Sequence, residues 1–296
     1  YFNSYENNIQ DMIDIKNYKE KETYNFSKIN ENISYLIMKN INLHTIPYQV
    51  INLEKLEYKK NHMKYQFKMI KNKNISFFKA LSNNNTPEIE NLFQLYCKLN
   101  NKNRKRTITR GSLGLIYSTI KLFESLSNID YIVILEDDIY FHKSYNNLIS
   151  ELNVNENVDF LYLGYNNDNC KSIINNLIKN NINKLPRNDK YRFFYGTYGY
   201  LCNLKFRNYV LNLGIKWFIK NNFPIDCGFN YIKNNSDLNF YILKDQLVIP
   251  EVRYQTKDSI NPPEDGKYYL NRGIDLKNYF VNKNLINTDV NKKYNH

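Results

Sequence analysis

The run Tyr131-Ile-Val-Ile-Leu-Glu136-Asp137-Asp138 constrains this chain more than any other, because an uninterrupted apolar stretch leads straight into three carboxylates. The apolar part reads as a strand buried on both faces, of the kind found inside an α/β sheet. Three adjacent acids at its end repel one another and are costly near a core unless a cation or strong donors neutralise them. Open α/β sheets bind ligands outside the carboxyl ends of their strands, which is where these acids stand. Hard cations such as Mg²⁺ and Mn²⁺ take oxygen ligands and bind through one or two carboxylates together with substrate phosphates. If strand alternation persists, Glu136 and Asp138 face one side and Asp137 the other. Asp138 is then the expected direct ligand, Glu136 reaches the donor or the metal through water, and Asp137 falls where a turn can begin. The same acids also suit a cap on a following helix or surface ion pairs.

The flanking pattern places that strand in a layered domain. Residues 1–45 are polar without a clear period and read as an N-terminal extension ahead of Pro47. Tyr48 to Leu53 has strand character, residues 54–71 carry Leu56, Met63, Phe67 and Ile70 at helical spacing, and Ser76 to Leu81 is a second strand. A strand, a helix and a strand in succession open a parallel sheet. A loop around Asn83 to Pro87 precedes a helix toward Leu99, and Gly111 to Leu126 is a helix with Leu115, Ile116, Thr119, Ile120 and Phe123 on one stripe. Further on, Phe160 to Leu163 is a strand, Ile173 to Ile182 a peripheral helix, and Tyr195 to Leu204 an aromatic segment containing Gly196 and Gly199. Phe206 to Leu213 reads as a helix and Gln246 to Pro250 as a last strand. The expected domain is 46–272, α/β with a mixed, mostly parallel sheet, followed by a tail or packed extension over 273–296.

Composition narrows the partners. A chain of 296 residues with 42% hydrophobic content can bury a sizeable core. No run approaches the roughly 18 apolar residues a spanning helix needs, so no membrane span is expected in the visible chain. The start at Tyr1 leaves room for a preceding signal, anchor or domain. The net charge of +12 would suit phosphates or nucleic acid. Lysine, asparagine, isoleucine and tyrosine are abundant everywhere, however, so a generic basic surface is the preferred reading and no nucleic-acid partner is expected. The cluster Lys102-Asn-Arg-Lys-Arg106 could help hold a diphosphate. Cys97, Cys170, Cys202 and Cys227 are dispersed and have no metal-ligand spacing, which argues against zinc and leaves a single disulfide open.

Several ordered blocks resemble glycosyltransferase family 25, the group that includes lipooligosaccharide and procollagen galactosyltransferases. They are Val50-Ile-Asn-Leu53, Gly111-Ser-Leu-Gly114 with Ser118, Ile134-Leu-Glu-Asp-Asp-Ile139, Phe160-Leu-Tyr-Leu-Gly164, Gly196-Thr-Tyr-Gly-Tyr-Leu201, Pro224-Ile-Asp226 and Leu247-Val-Ile-Pro250. The resemblance implies a GT-A-like, Rossmann-type nucleotide-sugar-binding domain, a UDP-sugar donor, Mn²⁺ or Mg²⁺, and inversion at the anomeric carbon. It implies transfer of a hexose, galactose or glucose, to a hydroxyl of a collagen-like protein or a glycan. On this scheme Asp138, Glu136 and Asp137 serve the metal, and Asn52, Glu136, Gly111, Gly114 and Gly196 serve the donor. Asp226 is the general base, with a helix N-cap before Cys227 to Ile232 as its alternative role. Two departures stand out. Ser112 and Thr119 occupy positions where many relatives carry Glu and His, and Glu54-Lys-Leu56 replaces an arginine-rich run, for which Lys59 and Lys60 could supply one cation. These departures keep open a catalytically silent relative that binds glycans or supports a partner enzyme. A basic nucleic-acid-binding protein is the third reading.

Overall fold

The computed structural model describes residues 41–82, 86–100, 108–150, 157–166, 181–187, 195–250 and 278–280. In chain order the elements are β1 (Tyr48–Asn52), α1 (Glu57–Met69), β2 (Ile75–Lys79), α2 (Pro87–Leu99), α3 (Arg110–Ser125), β3 (Tyr131–Glu136), β4 (Ile139–Phe141) and α4 (Tyr145–Ser150). There follow β5 (Phe160–Asn166), β6 (Ile182–Lys184), β7 (Tyr195–Asn203), α5 (Leu204–Asn221), α6 (Ile225–Asn235), β8 (Phe240–Leu243) and β9 (Val248–Pro250).

Seven strands form one sheet in the order β2-β1-β3-β7-β5-β8-β6, and β4 pairs with β9 in a separate ribbon. β1 is parallel to β2 and β3, and β5 is parallel to β8, while β7 and β6 run against their neighbours. Five strands therefore share a direction, which is the mixed, mostly parallel α/β sheet expected from the sequence. From β1 the chain moves to β2 on one side and later to β3 on the other. The crevice outside the carboxyl ends of β1 and β3 is thus a topological switch point, the usual ligand position in such sheets.

Strand alternation feeds two apolar layers. Ile132 and Ile134 of β3 join Phe160, Tyr162 and Tyr200 under α2, α3, α5 and α6. Val133 and Leu135 join Leu161, Leu163 and Leu201 under α1, α4 and the β4–β9 ribbon. The ribbon lies close because the sheet offers it a flat place. Gly164 and Gly199 are paired across β5 and β7. A Cβ on Gly164 would stand 2.2 Å from the Val248 carbonyl oxygen, and one on Gly199 would stand 2.7 Å from Val248 Cγ2. Two absent side chains thus let β9 pack directly on the sheet, and β9 in turn holds β4, the segment that follows the three acids.

The structure also differs from the sequence reading in places. β4 and β8 were not expected, and α5 runs on to Asn221 through Gly214, whose φ of 66° is left-handed. The expected helix over 173–182 lies outside the described residues except at its end, where Ile182 opens β6. Residues 1–40 and most of 273–296 also lie outside them. Ile41 and Leu43, within the segment read as an extension, are buried, and so is Tyr279 near the other end. Cys97, Cys202 and Cys227 are free thiols, and Cys170 lies outside the described residues.

The contact at Gly164 is backbone against backbone, so no side-chain rotation relieves it. Gly164→Ala is expected to lower stability by about 1–3 kcal/mol through overpacking, read as a drop in the urea midpoint at unchanged slope. An unchanged midpoint would show that the ribbon does not rest on this glycine.

Candidate active site

β3 ends at Glu136, and Asp137 and Asp138 form the bend into β4. Asp137 is buried and clasped from two elements. Asn52 Nδ2, at the end of β1, donates to its Oδ2 at 2.8 Å, and Lys59 Nζ, in the first turn of α1, donates to its Oδ1 at 2.9 Å. The same ammonium donates to Asp138 Oδ2 at 3.0 Å. Further along α1, His62 Nε2 donates to the Ile139 carbonyl at 2.7 Å, and Gln66 Oε1 accepts from the Phe141 amide at 2.9 Å. Lys59, His62 and Gln66 lie at i, i+3 and i+7, one stripe of the helix. That stripe holds the acidic bend and takes the place of a neighbouring strand along one edge of β4.

Glu136 is held from the other side. Thr197 Oγ1, at the start of β7, donates to Glu136 Oε1 at 2.7 Å. The adjacent Gly196 amide donates to Asp226 Oδ2 at 3.4 Å, so one dipeptide links the two carboxylates. Gly196 has φ 89°, and a Cβ there would stand 2.3 Å from the Tyr198 ring, so the position requires glycine. Asp226 does not cap its helix. Pro224 occupies the N-cap of α6, and Asp226 sits within the first turn, where its Oδ1 accepts from the Cys227 amide at 2.8 Å. An acid there is favoured by the positive end of the helix dipole. Tyr198 and Tyr200, in the aromatic segment around Gly196 and Gly199, are buried in the core and present no open face for a sugar.

A cleft of about 650 Å³, counting its solvent-open mouth, lies over the acidic bend. One wall is apolar, from Ile51, Leu53, Ala80 and Leu81, and the other is the start of α3, with Arg110, Gly111, Gly114 and Leu115. Glu136, Asp137, Asp138 and Lys59 complete the lining. Gly114 lets α3 approach, since a Cβ there would stand 2.8 Å from the Leu81 carbonyl. Ser118 Oγ secures that approach by accepting from the Leu81 amide at 2.8 Å and donating to the Gly114 carbonyl at 2.7 Å. A Cβ on Gly111 would make only an ordinary contact, 3.7 Å from Thr109 Oγ1. Arg110 forks onto Glu90 at 2.8 and 3.0 Å and lies over the Phe93 ring at 4.1 Å.

The structure thus brings Asn52, Glu136, Asp137 and Asp138 together and lines the same cleft with Gly111 and Gly114. Gly196 and Asp226 lie outside the cleft lining, beyond Thr197. Ser112 belongs to the helix cap, with its amide on Thr109 Oγ1 at 3.1 Å, and Thr119 is buried. The basic cluster 102–106 lies outside the described residues. Thr197, His62, Gln66 and Arg110 were not singled out in the sequence. The only signal for Thr197 was its place between Gly196 and Gly199.

Electrostatics tests whether a divalent cation fits here. Lys59 pairs with Asp137 and Asp138, and full ionisation of Glu136 as well would leave an excess of two negative charges in a poorly solvated place. Burial first, and then the charge of Asp138, pushes the Glu136 carboxyl up to about 8. Burial also raises Asp137, against the pull of Lys59. For Lys59, burial favours the neutral amine, but the charges of Asp138 and Asp137 outweigh it and hold its pKa above the usual lysine range. Oxygen donors with surplus negative charge suit a hard cation. Both oxygens of Asp137 are engaged, so Glu136 and Asp138 are the donors that fit best. Among the described residues no three His, Cys, Asp or Glu side chains converge as a metal cage. A site completed by substrate phosphates does not need one.

No helix among the described residues is long and apolar enough to cross a membrane. No curated protein sequence matches the chain. Among solved structures, the chain is similar to a glycosyltransferase involved in the glycosylation of the major capsid of PBCV-1. The identity is 10% and the TM-score 0.25, over 57% of this chain and 66% of that one, just under two thirds of its length. The sequence model of glycosyltransferase family 25, described as an LPS biosynthesis protein, matches residues 45–227, more than half of the chain. The chain therefore belongs to glycosyltransferase family 25.

Proposed function

We propose that this glycosyltransferase moves a hexose, galactose or glucose, from a UDP-sugar to a hydroxyl of a protein or glycan acceptor, with inversion and with a divalent cation at Glu136 and Asp138. The observation that carries the reading is the cluster of carboxylates around the buried Asp137 at the switch point of the sheet, facing an open cleft with one apolar wall. The apolar wall of Ile51, Leu53, Ala80 and Leu81 suits a base and ribose, and the bend suits the diphosphate end. When bound there, Mn²⁺ or Mg²⁺ neutralises the diphosphate as a leaving group.

The chain's own residues supply the rest. Asn52 and Lys59 fix Asp137 and so hold the bend in one shape before any donor arrives. Thr197 fixes Glu136. Asp226 is the general base: its Oδ2 accepts the proton of the acceptor hydroxyl as that oxygen attacks the anomeric carbon from the face opposite the diphosphate. The Gly196 amide and the start of α6 keep that carboxylate oriented. The family resemblance offers a collagen-like protein and a glycan as the two acceptor classes.

UDP release from a panel of UDP-sugars, with Mn²⁺ or with EDTA, tests the reading. One sugar should be cleaved or transferred in a metal-dependent way, and Asp138→Asn should reduce this by about 10²–10³-fold. If no UDP-sugar is bound or cleaved by the intact chain, the catalytic reading falls and the silent, glycan-binding relative takes its place. Asp226→Asn should lower kcat by roughly 10²–10⁴-fold while UDP binding stays intact. A loss confined to donor binding would remove Asp226 from the role of base.

The raised carboxyl also has a pH signature in EDTA. Because the folded pKa of Glu136 lies above its ordinary value of 4.5, the folded state holds the extra proton between 4.5 and about 8. Its contribution to stability is full below 4.5 and is lost as pH rises through about 8. Glu136→Gln mimics the protonated form, so urea midpoints of the variant should fall less than those of the wild type across this window. Equal slopes would mean that Glu136 is ionised throughout.

A further inference from the structure

Lys59 stands where an entering cation must go. Its ammonium lies 2.9 Å from Asp137 Oδ1 and 3.0 Å from Asp138 Oδ2, lines the cleft, and has a side chain only 14% exposed. The two carboxylates differ in what they keep if it leaves. Asp137 retains the Asn52 amide on its other oxygen, whereas Asp138 gives up the ammonium to whatever replaces it. The other cation in the cleft lining, Arg110, is forked onto Glu90 and stacked on Phe93, so it does not compete for the bend.

Resting on the donor-site reading above, we propose that Lys59 is a built-in counter-cation that couples loading of the divalent cation to loading of the nucleoside diphosphate. In the unliganded protein its ammonium sits on the oxygens that the divalent cation approaches. A divalent cation arriving alone meets a like charge and must displace it from Asp138. A diphosphate arriving with the cation gives the ammonium a second anion within reach of its flexible four-carbon stem. Each ligand therefore binds better when the other is present, and the enhancement is the same in both directions because the two equilibria are linked. Lys59 acts here as a positioning residue, holding the bend until the ligands enter and then moving toward the diphosphate.

Direct binding to the intact chain tests this without any turnover. Mn²⁺ affinity is measured from the paramagnetic resonance of free Mn²⁺, with and without saturating UDP, in the wild type, Lys59→Gln and Lys59→Arg. Gln keeps a hydrogen-bond donor for the bend but carries no charge, and Arg keeps the charge. In the wild type UDP should raise Mn²⁺ affinity by roughly tenfold. Lys59→Gln should bind Mn²⁺ alone more tightly than the wild type and gain much less from UDP, and Lys59→Arg should behave like the wild type. Coupling of wild-type size in Lys59→Gln, with Mn²⁺ alone bound no more tightly, would overturn the proposal and leave Lys59 as a clasp only. A wild type that binds neither Mn²⁺ nor UDP would instead bring down the donor site itself. Urea melts of the variants show whether each is folded at the binding temperature.

Discussion

The clasp on Asp137 is the contact on which the rest of the site depends. Its carboxylate joins the end of β1 through Asn52, the first turn of α1 through Lys59, and the bend between β3 and β4 through its own backbone. Removing a carboxylate from water costs several kcal/mol, and charge-assisted bonds with good geometry are what offset it. Breaking such a pair by deleting one partner typically costs about 3–5 kcal/mol, because the other charge stays buried. The acidic bend is therefore held by bonds that are expensive to break singly. Its shape is set by the protein before a ligand contributes anything.

The clasp works because β4 is held independently. On one edge β4 pairs with β9, and β9 rests on the glycine pair Gly164 and Gly199. On the other edge the stripe of α1 supplies Gln66 and His62 to the β4 backbone. A three-residue strand between a ribbon partner and a helix would otherwise have little to fix it. The glycines that admit β9 are not among the residues lining the cleft, yet they help determine where the chain goes after Asp138. On the far side, Thr197 does for Glu136 what Asn52 and Lys59 do for Asp137, and the neighbouring Gly196 amide reaches Asp226. The start of β7 thus joins the Glu136 side of the site to the Asp226 side.

Much of this was legible in the sequence, and the reasons are local. β3 announced itself by an unbroken apolar run, and α3 by its stripe of Ile116, Thr119, Ile120 and Phe123, because burial on both faces or on one face imposes those patterns directly. The position of the acids followed from the strand that precedes them. β4 did not show, since three residues carry too little pattern and its partner β9 lies more than a hundred residues away. The helix read over Phe206 to Leu213 is the first segment of α5, which kinks at Gly214, φ 66°, before a second segment runs to Asn221. Least legible was the stripe of Lys59, His62 and Gln66. Polar residues at helical spacing look like a solvated face, and only the partners, at Asp137 to Phe141, make them interior. Lys59 could be named as a spare cation from sequence, but the carboxylates it meets could not.

Three consecutive acids at the end of a strand need not be redundant, and here they are not equivalent. Strand alternation sends Glu136 toward the α3 side, where Ile132 and Ile134 also point, and Asp137 toward α1. The bend then brings Asp138 back over the cleft, within reach of the same lysine that holds Asp137. One acid is thereby committed to building the bend, and the two beside it keep oxygen toward the ligand. A motif of two acids separated by one residue could present the same pair to a cation. The middle carboxylate adds a rigid support for that pair, at the cost of a local charge excess that Lys59 only partly balances. At Glu136, which makes no direct contact with the lysine, burial first and then the charge of Asp138 push the carboxyl up to about 8. The same residual charge that disfavours the empty site is what gives a doubly charged ligand something to neutralise.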